Sequence, residues 1–327
     1  MIPFQYVRPK QQKAAIDALA RDNNAMFIAG GTNLLDLMKR YVVVPQKLVD
    51  INQLPLHNIE QLNGGIRIGA LVTNTALAEH KLIKEKYPLL SQAVVSGASA
   101  QLRNMATVGG NMMQRTRCYY FYDTALPCNK REPGTGCGAL DGVNRMHAIF
   151  GFSDKCIAVH PSDMSVALAA LDATVQVSGP KGERSIAFTD FHRLPGEQPE
   201  KDTNLHKNEL ITSVFIPDAP FARNACYLKV RERASFAFAL VSVAAALDIS
   251  NNSIREARLA MGGVAHKPWR LFKAEKTLKG MPVSEASFRQ AAAVAMEGAR
   301  AFEHNAYKIK MAPETIVHAL KTAAGIV

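Results

Sequence analysis

A glycine-rich turn near the N-terminus joins a short apolar strand to a helix, and this junction constrains the fold of the first part of the chain. Residues 27–29 are apolar and typical of a buried strand, Gly30-Gly31 follow at once, and apolar side chains then recur at helical spacing over residues 33–40. Such a turn collects unpaired backbone N–H groups, which can bind phosphate oxygens. The sequence matches neither a Walker loop nor a G-x-G-x-x-G fingerprint, so an ordinary strand-to-helix turn remains an alternative.

A second turn of the same type lies at residues 107–111, Thr-Val-Gly-Gly-Asn. Two turns of this kind could bind the two phosphates of one pyrophosphate. The pair therefore favours a pyrophosphate-containing ligand more strongly than either turn does alone.

Residues 115–156 differ in character from the rest of the chain. This segment is rich in Gly, Arg, Tyr and Cys, shows no helical or strand period, and is too long for a common connecting loop. Four of the five cysteines lie in it, with the spacing Cys-x9-Cys-x8-Cys-x18-Cys: Cys118, Cys128, Cys137 and Cys156.

Three interpretations of the four cysteines remain open from their spacing. Free cysteines are usually buried in regular core elements, and disulfides are disfavoured for a chain folded in a reducing compartment. Structural zinc normally uses at least one Cys-x2–4-Cys pair, which this segment lacks. Four thiolates from one loop suit a [4Fe–4S] cluster, although the spacing matches neither common ferredoxin pattern.

Two further groups of residues could take part in binding. Asp163 lies in the first turn of a predicted helix, either as an acid favoured by the helix dipole or as a ligand-binding carboxylate. Lys229, Arg231 and Arg233 alternate along a predicted strand, which places them on one face, either solvated or facing a partner.

The composition is that of a soluble globular protein, with 48% hydrophobic and 20% charged residues. The net charge of +11 is diffuse, and no basic stripe with interleaved aromatic residues indicates nucleic-acid binding. No apolar stretch approaches the ~20 residues of a membrane span. The N-terminus has no signal-peptide pattern, so we expect folding in the cytosol and, if the chain is exported, export in the folded state with a signal-bearing partner.

The pattern of elements predicts an α+β fold. We expect a first domain at 1–217, with subdomains 1–53 and 54–217 and the cysteine segment inserted at about 115–156, and a second domain at 218–327. In the second domain the pattern predicts three antiparallel strands at 225–231, 236–249 and 254–262, followed by helices at 271–279, 284–302 and 313–324.

The two glycine turns and the segment around Asp163 resemble motifs of a known family. The segments Ala29-Gly-Gly-Thr-Asn-Leu34, Ala106-Thr-Val-Gly-Gly-Asn111 and His160-Pro-Ser-Asp163, in this order, resemble the FAD-binding medium subunits of the molybdenum hydroxylases, the relatives of xanthine dehydrogenase and carbon monoxide dehydrogenase. Most of these subunits lack the cysteine segment. With it, the chain is most similar to the FAD and iron–sulfur subunits of bacterial periplasmic aldehyde oxidoreductases.

The resemblance implies a set of cofactor-binding residues. FAD would contact Phe27, Ile28, Ala29, Gly30, Gly31, Thr32, Asn33, Leu34, Thr107, Gly109, Gly110, Asn111, Asp163 and Lys229, and the cluster would be bound by Cys118, Cys128, Cys137 and Cys156. Cys226 has no counterpart in the resemblance.

The resemblance also implies a role in electron transfer within a heterotrimer. A large subunit would carry the molybdenum–molybdopterin cofactor and oxidise an aldehyde, and a small [2Fe–2S] subunit would relay the electrons. FAD on this chain would collect them and pass them to an acceptor, in the periplasm or alternatively the cytoplasm. Two competing functions are a stand-alone FAD oxidoreductase, for which the chain offers no evident substrate base, and a zinc-stabilised nucleic-acid-binding protein, which leaves both glycine turns without a role.

Overall fold

The computed structural model describes residues 1–326, which form three sheets and the helices that cover them. The first sheet is parallel, in the strand order β1-β3-β2, because a helix connects β2 to β3. Its strands are β1 (Gln5–Val7), β2 (Ala25–Ile28) and β3 (Lys47–Asp50), and the adjoining helices are α1 (Gln12–Ala20) and α2 (Leu34–Lys39). The first glycine turn therefore lies at the carboxyl end of β2, the edge at which parallel sheets commonly bind ligands.

The second sheet is antiparallel and has the order β4-β5-β8-β6-β7. Its strands are β4 (Ile59–Leu62), β5 (Gly65–Gly69), β6 (Thr174–Gly179), β7 (Gly182–Ala187) and β8 (Leu210–Pro217). The helices between them are α3 (Asn74–Glu79), α4 (Lys81–Lys86), α5 (Pro88–Ser96), α6 (Ala100–Met105), α7 (Val108–Met112), α8 (Tyr119–Tyr122), α9 (Asp163–Ala170) and α10 (Phe188–Phe191). Strands β4 and β5 form a hairpin that turns at Gly64, which adopts a positive φ of 81°.

The third sheet has the order β12-β11-β10-β9 and is antiparallel. Its strands are β9 (Ala225–Val230), β10 (Val241–Ser250), β11 (Ser253–Gly262) and β12 (Trp269–Arg270), followed by α11 (Phe272–Leu278), α12 (Glu285–Ala295) and α13 (Tyr307–Ala324).

The central strand β10 is buried on both faces. Its side chains belong to two different hydrophobic cores, and they connect the third sheet to the rest of the molecule. Ala244 and Ala246 pack into the core that contains α9, whereas Val243 and Ala245 pack into the core under α13. Because successive side chains of a strand point to opposite faces, the small alanines let α9 approach the sheet closely.

The α+β fold is confirmed, and three local predictions about the third sheet are corrected. Residues 236–240 form a loop rather than strand, because Phe236 adopts a positive φ of 50° and its carbonyl oxygen accepts a hydrogen bond from Arg233. Arg231 and Arg233 therefore lie beyond the end of β9, and Lys229 alone of the three basic residues belongs to the strand. The third sheet has a fourth, two-residue strand.

The C-terminal helices also differ from the predicted boundaries. Helix α12 ends at Ala295, shortly before Gly298, whose φ is +80°. Helix α13 begins six residues before Pro313, so the proline lies inside the helix rather than at its start. The proposed domain boundary at 217/218 stays a prediction.

The cysteine segment is irregular, as expected, apart from the four-residue helix α8. In the part of the chain that the structure covers, no helix is long and apolar enough to cross a membrane.

Candidate functional site

One large cavity of about 1830 Å³ lies where the three sheets approach one another. Both glycine turns, the N-terminal end of α9, part of the cysteine segment and the edge of the third sheet line it. All fourteen predicted FAD-binding residues line this one space, namely residues 27–34, Thr107, Gly109, Gly110, Asn111, Asp163 and Lys229.

The first glycine turn presents a row of free backbone donors to this cavity. Within residues 1–326, the N–H groups of residues 30–33 have no protein acceptor. A side chain at Gly30 would collide with the carbonyl oxygen of Met105, and Gly31 has a positive φ of 70°. The turn thus requires both glycines and offers unpaired donors of the kind that bind phosphate oxygens.

The second glycine turn is built differently, although it lines the same cavity. Thr107 caps the short helix α7, and its side-chain oxygen accepts from the N–H of Gly110 at 3.2 Å. The N–H groups of Val108, Gly109 and Asn111 donate to backbone carbonyls at 2.7–2.9 Å. This turn therefore offers no free donors: Gly109 is buried against Ala70, Gly110 is exposed, and the contact of the turn with FAD stays a prediction.

The side chain of Asn111 connects the second turn to the start of α9. Its Oδ1 accepts from the Ser162 hydroxyl at 2.7 Å and from Gln114 at 2.8 Å. Ser162 is also the N-cap of α9 and accepts from the N–H of Ser165 at 3.0 Å. These hydrogen bonds fix the position of the second turn relative to Asp163, the residue after Ser162.

Asp163 and Lys229 form a buried ion pair across the cavity wall. Lys229 Nζ lies 2.8 Å from Asp163 Oδ2 and also donates to the carbonyl oxygen of Ser96 at 3.0 Å. The Tyr227 hydroxyl donates to Asp163 Oδ1 at 2.7 Å, and burial, followed by the charge of Asp163, raises the pKa of Tyr227. Sequence reasoning missed Tyr227, although its position two residues before Lys229 on β9 places both on one face.

The four cysteines of the inserted segment come together, and all of them are free thiols. Cys128 and Cys137 face each other in an isolated antiparallel bridge. Interaction between the Cys137 and Cys156 side chains lowers the pKa of Cys137 and raises that of Cys156. Burial raises the pKa of Cys118 to about 12, with smaller contributions from the nearby Cys128 and Cys137.

No single-ion site accompanies these thiols. Among the residues that the structure describes, no group of three or more His, Cys, Asp or Glu side chains is arranged to hold a metal ion. This finding supports neither the structural-zinc nor the iron–sulfur interpretation, and the cluster assignment stays a prediction. Cys226 lies far along the chain on β9, in the core under the C-terminal helices.

A buried ion network ties the cysteine segment to the 192–203 region. Lys130, only 2% exposed, donates to Asp202 and to the carbonyl oxygen of Pro199, and Arg115 Nε lies 2.7 Å from Asp202. Burial of Asp202 acts to raise its pKa, but Lys130 and Arg115 outweigh it and lower the pKa well below the ordinary value. Sequence reasoning missed Asp202, which lies in a loop without a motif.

The cysteine segment also contacts the first glycine turn directly. Asn33 Oδ1 accepts from the N–H of Arg115 at 2.9 Å, and its amide group donates to the Tyr122 hydroxyl at 3.3 Å. The inserted segment is therefore packed against the cavity.

Two buried histidines, His192 and His266, and the partly buried His160 adjoin this network, and none of them was assigned to the site from the sequence. The rings of His160 and His192 lie 4.1 Å apart between centroids, and His266 Nε2 lies 3.9 Å from Asp202. Burial lowers the pKa of His192 to about 4 and that of His266 to about 3, and it lowers that of His160 well below its usual value. All three side chains are neutral at pH 7.

Comparison with protein families accounts for almost the whole chain. Residues 2–219 match the family described as the FAD binding domain in molybdopterin dehydrogenase. Residues 226–323 match the family described as the CO dehydrogenase flavoprotein C-terminal domain.

Individual relatives agree with these matches. The aldehyde oxidoreductase FAD-binding subunit PaoB of Escherichia coli (strain K12) is 47% identical over 99% of both chains. The glyceraldehyde dehydrogenase medium chain of Sulfolobus acidocaldarius is 29% identical over 86% of this chain and 83% of its own.

Solved structures share the fold over the full length. A chain of quinoline 2-oxidoreductase from Pseudomonas putida 86 aligns with a TM-score of 0.77 at 25% identity, covering 99% of this chain and 98% of its own. A chain of carbon monoxide dehydrogenase from Hydrogenophaga pseudoflava aligns with a TM-score of 0.78 at 24% identity, over 100% and 99% of the two chains, and supports the fold. The free donors of the first turn, the cavity and the two family matches lead to one conclusion: the chain belongs to the FAD-binding subunits of the molybdenum hydroxylase family of oxidoreductases.

Proposed function

We propose that this chain is the FAD and [4Fe–4S] electron-transfer subunit of a molybdenum-dependent aldehyde oxidoreductase. The observation that carries the proposal is the 47% identity over 99% of both chains to a subunit named for aldehyde oxidation and FAD binding. The gathering of four cysteines beside the cavity supports the additional cluster.

The residues of the cavity fit FAD. The free N–H groups of residues 30–33 suit the pyrophosphate, and the exposed Gly110 leaves room in the cavity for adjoining atoms. Asp163 is held by Lys229 and Tyr227, so its carboxylate is oriented before the cofactor arrives. When bound, FAD supplies the chemistry of accepting and releasing one or two electrons, while this chain positions it and sets its electrostatic surroundings.

The four cysteines suit an iron–sulfur cluster. In a [4Fe–4S] cluster each thiolate binds a different iron, so the ligands need not converge on one point. Cys118, Cys128, Cys137 and Cys156 lie near one another, which supports this assignment. The buried cation of Lys130 would partly offset the negative charge of four thiolates.

The partners and compartment follow from the same proposal. A large subunit with the molybdenum–molybdopterin cofactor would oxidise the aldehyde, and a small [2Fe–2S] subunit would pass electrons to FAD, which delivers them to an acceptor. We place this heterotrimer in the periplasm, exported folded on the signal of a partner, with the cytoplasm as the alternative.

The test is to purify the complex from its native host and identify its subunits and cofactors. We expect three subunits, FAD, molybdenum and about four irons on this chain in addition to those of the small subunit, with the complex recovered in the periplasmic fraction. A complex with iron in the small subunit alone would contradict the cluster assignment. Recovery with cytoplasmic markers would contradict the compartment.

A further inference from the structure

A buried histidine lies against one of the four cysteines. His147 is 4% exposed, and its Nε2 atom lies 3.1 Å from the sulfur of Cys118. In the chain it stands between Cys137 and Cys156, within the same inserted segment. The flavin-family motifs and the cysteine spacing do not include it.

The direction of this hydrogen bond depends on the state of Cys118. As a free thiol, Cys118 can donate to a ring nitrogen. As an iron ligand it is a thiolate, which can only accept, so Nε2 must carry the proton and donate to sulfur. The other ring nitrogen, Nδ1, has no hydrogen-bond partner among the described residues, so the tautomer with the proton on Nε2 breaks no other bond.

Two fully buried side chains of the C-terminal region hold the backbone of His147. Lys308 Nζ donates to the carbonyl oxygen of His147 at 2.9 Å and to that of Gly263 at 2.6 Å. The Asn305 amide donates to the carbonyl oxygens of His147 and Ala148, both at 3.2 Å. The ring is therefore placed by long-range contacts and not only by its own loop.

We propose that His147 is a positioning residue that donates an N–H···S hydrogen bond to Cys118 and thereby raises the reduction potential of the cluster. The inference rests on the proposed function, since it requires the cluster. Reduction adds negative charge that is shared by the ligand sulfurs, so a donor to sulfur stabilises the reduced state more than the oxidised state.

The first experiment compares three variants in the purified holoenzyme complex. His147→Leu removes the donor, His147→Gln keeps an N–H group near the position of Nε2, and His318→Leu changes an exposed histidine of α13 as a control. Each is titrated with dithionite, and the reduced cluster is followed by electron paramagnetic resonance. FAD absorbance in the same titration serves as the internal reference.

We expect His147→Leu to retain iron and to shift the cluster potential to more negative values. A tenfold loss of preference for the reduced state corresponds to about 59 mV for a one-electron couple. His147→Gln should recover most of this shift, and the FAD potential and the His318→Leu variant should match wild type. Full iron content with an unshifted potential in His147→Leu would overturn the inference.

A second measurement does not depend on the stability of a variant. Wild-type complex is labelled with ¹⁵N-histidine, and the reduced cluster is examined by pulsed electron paramagnetic resonance. Magnetic coupling between a histidine nitrogen and the cluster would support the N–H···S bond, even if the His147→Leu variant loses its iron. Absence of that coupling would overturn the proposed hydrogen bond. A wild-type chain without cluster iron would instead overturn the proposed function, and this inference with it.

Discussion

At the scale of single residues, the chain separates five cysteines into two environments. Cys118, Cys128, Cys137 and Cys156 neighbour one another beside the cavity, whereas Cys226 lies in the core beneath the C-terminal helices. A Cys→Ser substitution should therefore affect iron content at the four grouped cysteines and leave it unchanged at Cys226.

We expect Cys128→Ser to remove about four irons per chain and to leave FAD bound, because one missing thiolate breaks the ligand set of the cluster. Cys226→Ser is the matched control and should keep full iron content. Iron and flavin analysis of the purified complexes measures both. Iron loss in Cys226→Ser alone would show that the ligands lie elsewhere.

Gly110 tests whether the second glycine turn faces the cofactor. A side chain there would meet only the Thr107 hydroxyl within the protein, at 3.1 Å, so Gly110→Val should fold and fill space in the cavity. We expect FAD affinity to fall about tenfold, or about 1.4 kcal/mol. Flavin release under dilution measures this.

The control for Gly110→Val is Ala100→Val, which adds the same branched side chain at an exposed position at the start of α6. It should retain wild-type FAD affinity. Equal affinity in both variants would mean that the cofactor does not approach the second turn.

At the scale of elements, the contact between α9 and β9 holds the two parts of the cavity wall together. Asp163 stands in the first turn of α9, and Tyr227 and Lys229 reach it from β9. The hydrogen bonds of this contact are buried, so the loss of one donor is not compensated by water.

We expect Tyr227→Phe to destabilise the chain by about 2 kcal/mol, because a buried carboxylate loses a hydrogen bond. Tyr41→Phe, at a side chain that is 56% exposed, should change stability by less than about 0.5 kcal/mol. Urea denaturation measures both. Equal midpoints would show that Tyr227 contributes no more than an exposed tyrosine.

At the scale of the whole molecule, three neutral histidines between the cysteine segment and the cavity make stability depend on pH: the buried His192 and His266 and the partly buried His160. Their folded-state pKa values lie below the ordinary value of about 6.5, so the unfolded chain binds more protons as the pH falls below that value. This contribution to stability is complete above pH 6.5 and is lost as the pH falls toward the folded values near 4 and 3.

We expect the free energy of unfolding to decrease by about 1.4 kcal/mol per pH unit for each of these histidines below pH 6.5. Replacing His192 by Phe should flatten this slope, and replacing the exposed His318 should not. Denaturation series between pH 7.5 and pH 4.5 measure the slopes. A wild-type slope of zero over this range would contradict buried neutral histidines.

The isolated chain should bind FAD without oxidising aldehydes. Its cavity is lined by the two glycine turns that we propose as part of the FAD site, and the proposed site of aldehyde oxidation lies on a partner subunit. We expect no dye reduction when aldehyde and a dye acceptor are added to the purified chain, and turnover when both partners are supplied. Turnover by the chain alone would identify it as a complete enzyme.

Local sequence patterns determined the α+β fold, the first glycine turn and the grouping of four cysteines, because each depends on residues that are close in the chain. The tertiary structure alone decided that the second turn has no free donors, since those N–H groups bond to residues such as Ala70 and Val72 more than thirty positions away. It likewise paired Asp202 with Lys130 and placed His147 beside Cys118. Such contacts join residues that are distant in the chain, and no period or spacing in the sequence encodes a distance across the fold.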